Sequence, residues 1–228
     1  MTITAVSTAA SEIHRLIWNS RDAVWPLGAP QDPVDMLDPR VAVELLGYTY
    51  VSVPEIFDWP PNTQSAIAGI VDPGRKRITV SQRFGFASAR FTGAHELGHI
   101  VLDSPKIAFR ERSIRAPREH IRDPVERRAD RFAASFLMPE NLVKQRAAEA
   151  FGTLPIEVND AMAFLLDSNE PERLLRANPD SRERAFALAR CSRDILGNHI
   201  ISLHKQFKVS VEAMAYRLDE LELIRRYP

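Results

Sequence analysis

Arg90-Phe91-Thr92-Gly93-Ala94-His95-Glu96-Leu97-Gly98-His99-Ile100-Val101-Leu102 is the stretch on which the reading of this 228-residue chain turns. His95 and His99 are one helical turn apart, so on a helix both imidazoles project from one face and can reach one metal ion. Glu96 stands beside the pair, where it can take a proton from water activated by that ion without being a ligand itself. Phe91, Leu97, Ile100, Val101 and Leu102 supply an apolar face to anchor the helix in a core. Two His and one Glu at this spacing also arise by chance, at a rate on the order of one in a hundred in a chain of this size. The competing reading is a surface helix with two idle histidines.

A zinc ion engaged in hydrolysis takes three protein ligands and keeps an open position for water, so a third ligand has to be found. The candidate is Glu126, which opens Glu126-Arg127-Arg128-Ala129-Asp130-Arg131-Phe132-Ala133-Ala134-Ser135-Phe136-Leu137-Met138-Pro139. Ala129, Phe132, Ala133, Phe136 and Leu137 recur at helical spacing, with Asp123 suited to the N-cap and Pro124 to the first turn. Glu126 and Asp130 then share one edge of this helix. The first can bind a metal, and the second can accept the N–H of a ligating His and fix its tautomer. On these residues alone a solvated edge is the stronger reading, with both carboxylates paired to Arg122, Arg127 or Arg131.

H-E-x-x-H followed by E-x-x-x-D on a later helix is the ligand arrangement of the gluzincin metallopeptidases. More narrowly, the two stretches in this order resemble the ImmA/IrrE family of bacterial zinc metallopeptidases, over about residues 65 to 140. The resemblance implies Zn2+ held by His95, His99 and Glu126, with Glu96 as the catalytic base and a hairpin before the active-site helix. It also implies a protein substrate, a helix-turn-helix transcriptional repressor cut at one site. Val209-Ser210-Val211-Glu212-Ala213-Met214-Ala215-Tyr216-Arg217-Leu218 is similar to a common, less specific ending in the family. Gly93-Ala94 departs from the family, where larger residues are frequent, and this puts local packing in doubt.

The rest of the chain supplies a frame for that site. Residues Thr4 to Val24 read as a first helix with Ile13, Leu16, Ile17 and Trp18 inward, followed by the Pro- and Gly-containing connector around Trp25 to Pro33. Val34 to Leu46 reads as short helical pieces broken near Pro39 and ended by Gly47. Tyr48 to Val53 reads as a strand, and Ser65 to Val71 with Arg77 to Val80 as a hairpin turned by Asp72-Pro73-Gly74-Arg75. The expected fold class is α+β, with a small, mostly antiparallel sheet packed on a zinc-binding active-site helix and a helical C-terminal part. Three regions are expected: an N-terminal helix and connector over 1–30, a metallopeptidase domain over 31–168, and a helical region packed on it over 169–228. In thermolysin-like folds an edge strand beside the zinc binds the substrate backbone, and that is carried over here as a hypothesis.

Asp103 to Arg122 is long, polar and arginine-rich, with Pro105 and Pro117 against a continuous helix; it reads as a lid or a disordered connection. Beyond it, helices are expected over Glu140 to Phe151, Ile156 to Leu166, Arg182 to Leu196, His199 to Phe207 and Val209 to Ile224. Tyr48, Arg90, His120 and Tyr216 are candidates for oxyanion or substrate contacts, with no geometric argument to rank them.

Thirty basic and thirty acidic residues cancel, so no whole-molecule field draws the chain to nucleic acid or an anionic membrane. The first ten residues lack a basic segment and soon give way to charged ones, no apolar run approaches spanning length, and the single Cys191 has no internal partner. A cytoplasmic protein with no membrane role is the simplest account. Two rival functions remain: a zinc-dependent sensor or binding partner without proteolysis, and a DNA-binding regulator acting through its last helices. Glu212, Asp219, Glu220 and Glu222 on the recognition helix of such a regulator would repel phosphates, so direct nucleic-acid binding is disfavoured.

Overall fold

A computed structural model describes residues 3–57, 67–103, 109–112, 123–195 and 198–225. The fold class is α+β, as expected from the sequence, and the chain divides into two compact units, Met1–Leu137 and Met138–Pro228.

The first unit begins with α1 (Ile3–Asn19) and α2 (Arg21–Val24), then α3 (Pro33–Met36) and α4 (Pro39–Leu45). Val6, Ala10, Ile13 and Ile17 form the buried stripe of α1. Trp18, expected inward, is 56% exposed, and the Arg21 guanidinium lies over its ring at 4.5 Å. It falls one position off the stripe that Ile13 and Ile17 define. Asp32 and Asp38 cap α3 and α4 by accepting from Val34 N and Arg40 N, each with Pro at the next position, so Pro39 opens α4 at the expected break.

The sheet consists of β1 (Thr49–Val53), β2 (Ile67–Asp72), β3 (Arg77–Ser81) and β4 (Phe109–Arg112) in the order β1-β3-β2-β4. β2 and β3 are the expected hairpin, with Arg75 N donating to Asp72 Oδ1 in the turn. β1 runs parallel to β3, while β4 pairs antiparallel with β2 and forms one edge. β4 lies inside the segment read as a lid; the other residues of that segment from 104 to 122, His120 among them, fall outside the described residues. Its alternating polar run gave no strand signal, and its backbone pairs along β2.

α5 (Phe86–Asp103) follows β3 and is buried nearly all round, packing against β2, β3, α4 and α6 (Pro124–Leu137). A helix closed in on every side has no solvent to hydrate its polar residues, so each must find a partner in the protein. α6 starts as expected, with Asp123 Oδ1 accepting from Val125 N at 2.8 Å, and sinks Ala129, Phe132, Ala133, Phe136 and Leu137 into the core. Phe132 stacks on Phe136, and α1 packs against this helix through His14, whose Nε2 lies 2.9 Å from Phe136 O.

The second unit holds α7 (Glu140–Phe151), α8 (Asp160–Leu166), α9 (Pro171–Leu175), α10 (Glu183–Arg190), β5 (Arg193–Ile195), β6 (Asn198–Ile200), α11 (Leu203–Gln206) and α12 (Val211–Glu220). It is largely helical, and it departs from expectation in places. The helices expected over Arg182 to Leu196 and His199 to Phe207 give up their facing ends to the antiparallel pair β5–β6. Ile195 and Asn198, which pair, flank Leu-Gly in sequence, a short hairpin signal masked by the helical spacing on either side. α8 begins at Asp160 rather than Ile156 because the Asn159 side chain accepts from Met162 N and caps it. Ser210 caps α12 in the same way, and α11 is a single turn, shorter than the first helix of a helix-turn-helix.

Candidate metal centre

α5 and α6 cross with very little between them. A Cβ added at Gly98 would stand 3.2 Å from Ala129 Cα and 3.2 Å from Phe132 Cβ, so at the glycine inside H-E-x-x-H the backbone of α6 approaches closely. That approach carries Glu126 and Asp130 to the two histidines of α5.

His95 and His99 are each 1% exposed, and their rings meet edge to face with centroids 4.8 Å apart. Their Nε2 atoms are 3.0 Å apart. Glu126 Oε2 lies 3.1 Å from His95 Nε2, and Glu126 Oε1 lies 3.6 Å from His99 Nε2. One ligand atom from each of the three residues falls within 4.8 Å of the others. On the far side of the His95 ring, Nδ1 is 2.9 Å from Asp130 Oδ1.

The protons follow from this geometry. An ionised Asp130 can only accept, so His95 Nδ1 carries the hydrogen and donates it, and Nε2 of the neutral ring presents a lone pair to His99 and Glu126. Two imidazole nitrogens and a carboxylate oxygen then converge. Two nitrogens plus one oxygen is a donor set that suits a divalent transition metal. The site can bind a metal ion, and the residues fit one. When those rings are protonated, hydrogen bonds from His95 and then His99 hold the Glu126 carboxyl far below the usual carboxylate range.

Glu96 is fully buried on the same helix, adjacent in sequence to His95. Thr92, one turn earlier, is 2% exposed. Across from both lies Gly69 of β2, a residue the sequence reading did not single out. The available signal was a glycine inside an apolar strand run, which marks close backbone approach.

The remaining candidates are placed elsewhere or otherwise employed. Arg90 is 8% exposed and spends its Nη2 on Leu37 O at 2.7 Å and Val34 O at 3.3 Å, a bracket between α5 and the end of α3. Tyr48 is half-buried just before β1. Tyr216 belongs to the second unit, where Arg182 lies over its ring at 4.4 Å. The departure at Gly93 has a local reason: a Cβ there would stand 2.5 Å from the hydroxyl of Tyr50, which fills the space a larger residue would take. Burial pushes the Tyr50 phenol up to about 12, so it stays protonated.

Residues 60–154 match the model of a peptidase family described as the IrrE N-terminal-like domain. The match takes in β2, β3, α5, β4 and α6, and with them all three residues of the metal-binding group. It supports an ImmA/IrrE family protein and a metallopeptidase-type activity. No curated protein and no solved structure matches the chain. Among the described residues no helix is long and apolar enough to cross a membrane.

Proposed function

With the IrrE-type peptidase match over residues 60–154 as the premise, we propose that this chain is a zinc endopeptidase acting in the cytoplasm on one specific protein, a helix-turn-helix transcriptional repressor. The observation that carries the reading is the convergence of His95, His99 and Glu126 within 4.8 Å beside a fully buried Glu96. His95, His99 and Glu126 hold the ion, and Asp130 orients His95. When bound, zinc supplies a Lewis acid that polarises a peptide carbonyl and makes water acidic enough to lose a proton near neutral pH.

The chain's own residues do the rest. Glu96 takes the proton of the attacking water and hands it to the leaving amine nitrogen, and it holds that proton between the two steps. Because it is buried, no bulk water competes for the proton during the exchange. β4, at the edge of the sheet, offers backbone N–H and C=O groups with which an extended substrate can pair as an added strand. Such pairing reads backbone rather than side chains, so the choice of a single repressor rests on contacts outside the cleft. The family resemblance supplies the repressor as the candidate substrate.

Two measurements test this. The purified protein binds one zinc per chain, and Glu126→Ala weakens that binding far more than Asp123→Ala, which removes only a helix cap. Metal content unchanged by Glu126→Ala would move the third ligand elsewhere. The zinc-loaded protein is then incubated with candidate repressors from its own genome and with unstructured casein. Single-site cleavage of one repressor, absent with Glu96→Gln, is the expected result; efficient digestion of casein without preference would sink the proposal.

A further inference from the structure

Resting on the peptidase reading and deepening it, we propose that Gly69 is the positioning residue for Glu96: its missing side chain leaves the space the carboxylate occupies and so sets where the base stands beside His95 and His99. A Cβ built at Gly69 would lie 2.7 Å from Glu96 Oε1, 3.1 Å from Glu96 Cγ and 2.5 Å from Thr92 Cγ2. Those separations are too short for non-bonded atoms, so any larger residue at 69 displaces the base, the threonine or the strand. Glu96 is fully buried, yet burial alone does not choose among the rotamers of a long side chain. The bare backbone of Gly69, against which both Glu96 and Thr92 lie, bounds the space it can take.

The strand is built to hold that wall in place. β2 pairs with β4 as Ile67↔Arg112 and then Gly69↔Glu111, so Ala68 is an extra residue at a β-bulge immediately before the glycine. Bulges re-aim the positions that follow them and recur beside active sites. On its other edge Gly69 is registered against Val80 of β3. Paired on both sides, the backbone at residue 69 cannot drift toward or away from α5. Glycine inside a strand costs stability, and here that cost goes with proximity to the base.

The test uses full-length, zinc-loaded protein and three readouts: zinc stoichiometry, cleavage of the repressor identified above, and binding of acetohydroxamate. The hydroxamate chelates zinc and donates its hydroxyl hydrogen to a neighbouring carboxylate, so it reports the position of Glu96 without any turnover. Gly69→Ala is expected to keep one zinc per chain, to lower kcat about 100-fold with little change in KM, and to weaken the hydroxamate about tenfold, as Glu96→Gln does. Gly69→Ala/Thr92→Ser removes the clash with the threonine methyl and leaves only the clash with Glu96, so it should keep both defects. Wild-type kcat and hydroxamate affinity in Gly69→Ala would overturn the proposal, and so would their recovery in the double variant. Failure of both variants to fold would assign the glycine to general packing and overturn it as well. Wild-type protein that binds zinc but cuts no repressor counts against the peptidase reading alone; the hydroxamate comparison still decides the role of Gly69.

Discussion

Arg90 and His95 sit five residues apart on α5, both buried, and they meet opposite fates. Arg90 donates to two backbone carbonyls, Val34 O and Leu37 O, which are hydrogen-bond acceptors with nothing else to offer. His95 lies beside His99 Nε2 and Glu126 Oε2, with Asp130 behind it. A buried cation among carbonyls completes a scaffold. Imidazoles and carboxylates gathered on one another form a group that could hold a metal ion, and this difference separates the proposed functional face of the helix from the structural one more sharply than burial does.

If that comparison is right, substitutions on the two faces should fail in different currencies. The largest effect is expected from Glu96→Gln, which keeps the shape and the zinc but cannot take a proton: kcat should fall about 100- to 10,000-fold with melting temperature unchanged. An active Glu96→Gln protein would break the assignment of the functional face. Asp130→Asn comes next. It loosens His95 without removing a ligand, and should cost about 10- to 100-fold in zinc affinity or activity, measured by competition with a chelator and by cleavage rate.

Arg90→Met should do the reverse. It leaves the carbonyls of Val34 and Leu37 without their donor and should lower unfolding free energy by about 1–3 kcal/mol in a denaturant titration. Zinc content and cleavage per folded molecule should stay as in the wild type; a loss of zinc there would merge the two faces into one. The smallest effect concerns His14, packed on Phe136 of the ligand-bearing helix. Burial lowers its pKa from 6.5 in the folded state, so as pH falls below that value the unfolded chain takes up a proton that the folded one refuses. Its contribution to stability is therefore present above about pH 6.5 and declines as pH falls toward the folded pKa. His14→Gln should flatten the slope of melting temperature against pH in that window, while zinc binding at neutral pH is unmoved.

The grouping of His95, His99, Glu126 and Asp130 could be read from sequence because much of its geometry is local. His95 and His99 are brought together by one helical turn, and Glu126 and Asp130 by another, so spacing alone specifies each pair. What spacing could not supply was the crossing of α5 and α6, which depends on Gly98 meeting Ala129 and Phe132 across sequence. Arg90 could not be ranked from sequence for the same reason: its carbonyl partners lie more than fifty residues upstream. β5 and β6 were read as helix ends because three-residue strands are too short to show a period of two. Gly69 went unremarked since its neighbour Glu96 lies on a different element, although a glycine in a strand is a visible oddity.

The contact at Gly98 also bears on which ion the protein keeps. Metal centres tolerate errors of only about 0.2 Å in ligand distance. A methyl group at residue 98 would meet Ala129 Cα at 3.2 Å, tight enough that the neighbouring helix must give way by a few tenths of an ångström. Glu126 rides on that helix and His95 and His99 on the other, so the wedge would open the donor triangle without touching a donor. Larger divalent ions suit a wider triangle, so on the proposed metal reading discrimination among ions would be set in part by how closely two backbones touch.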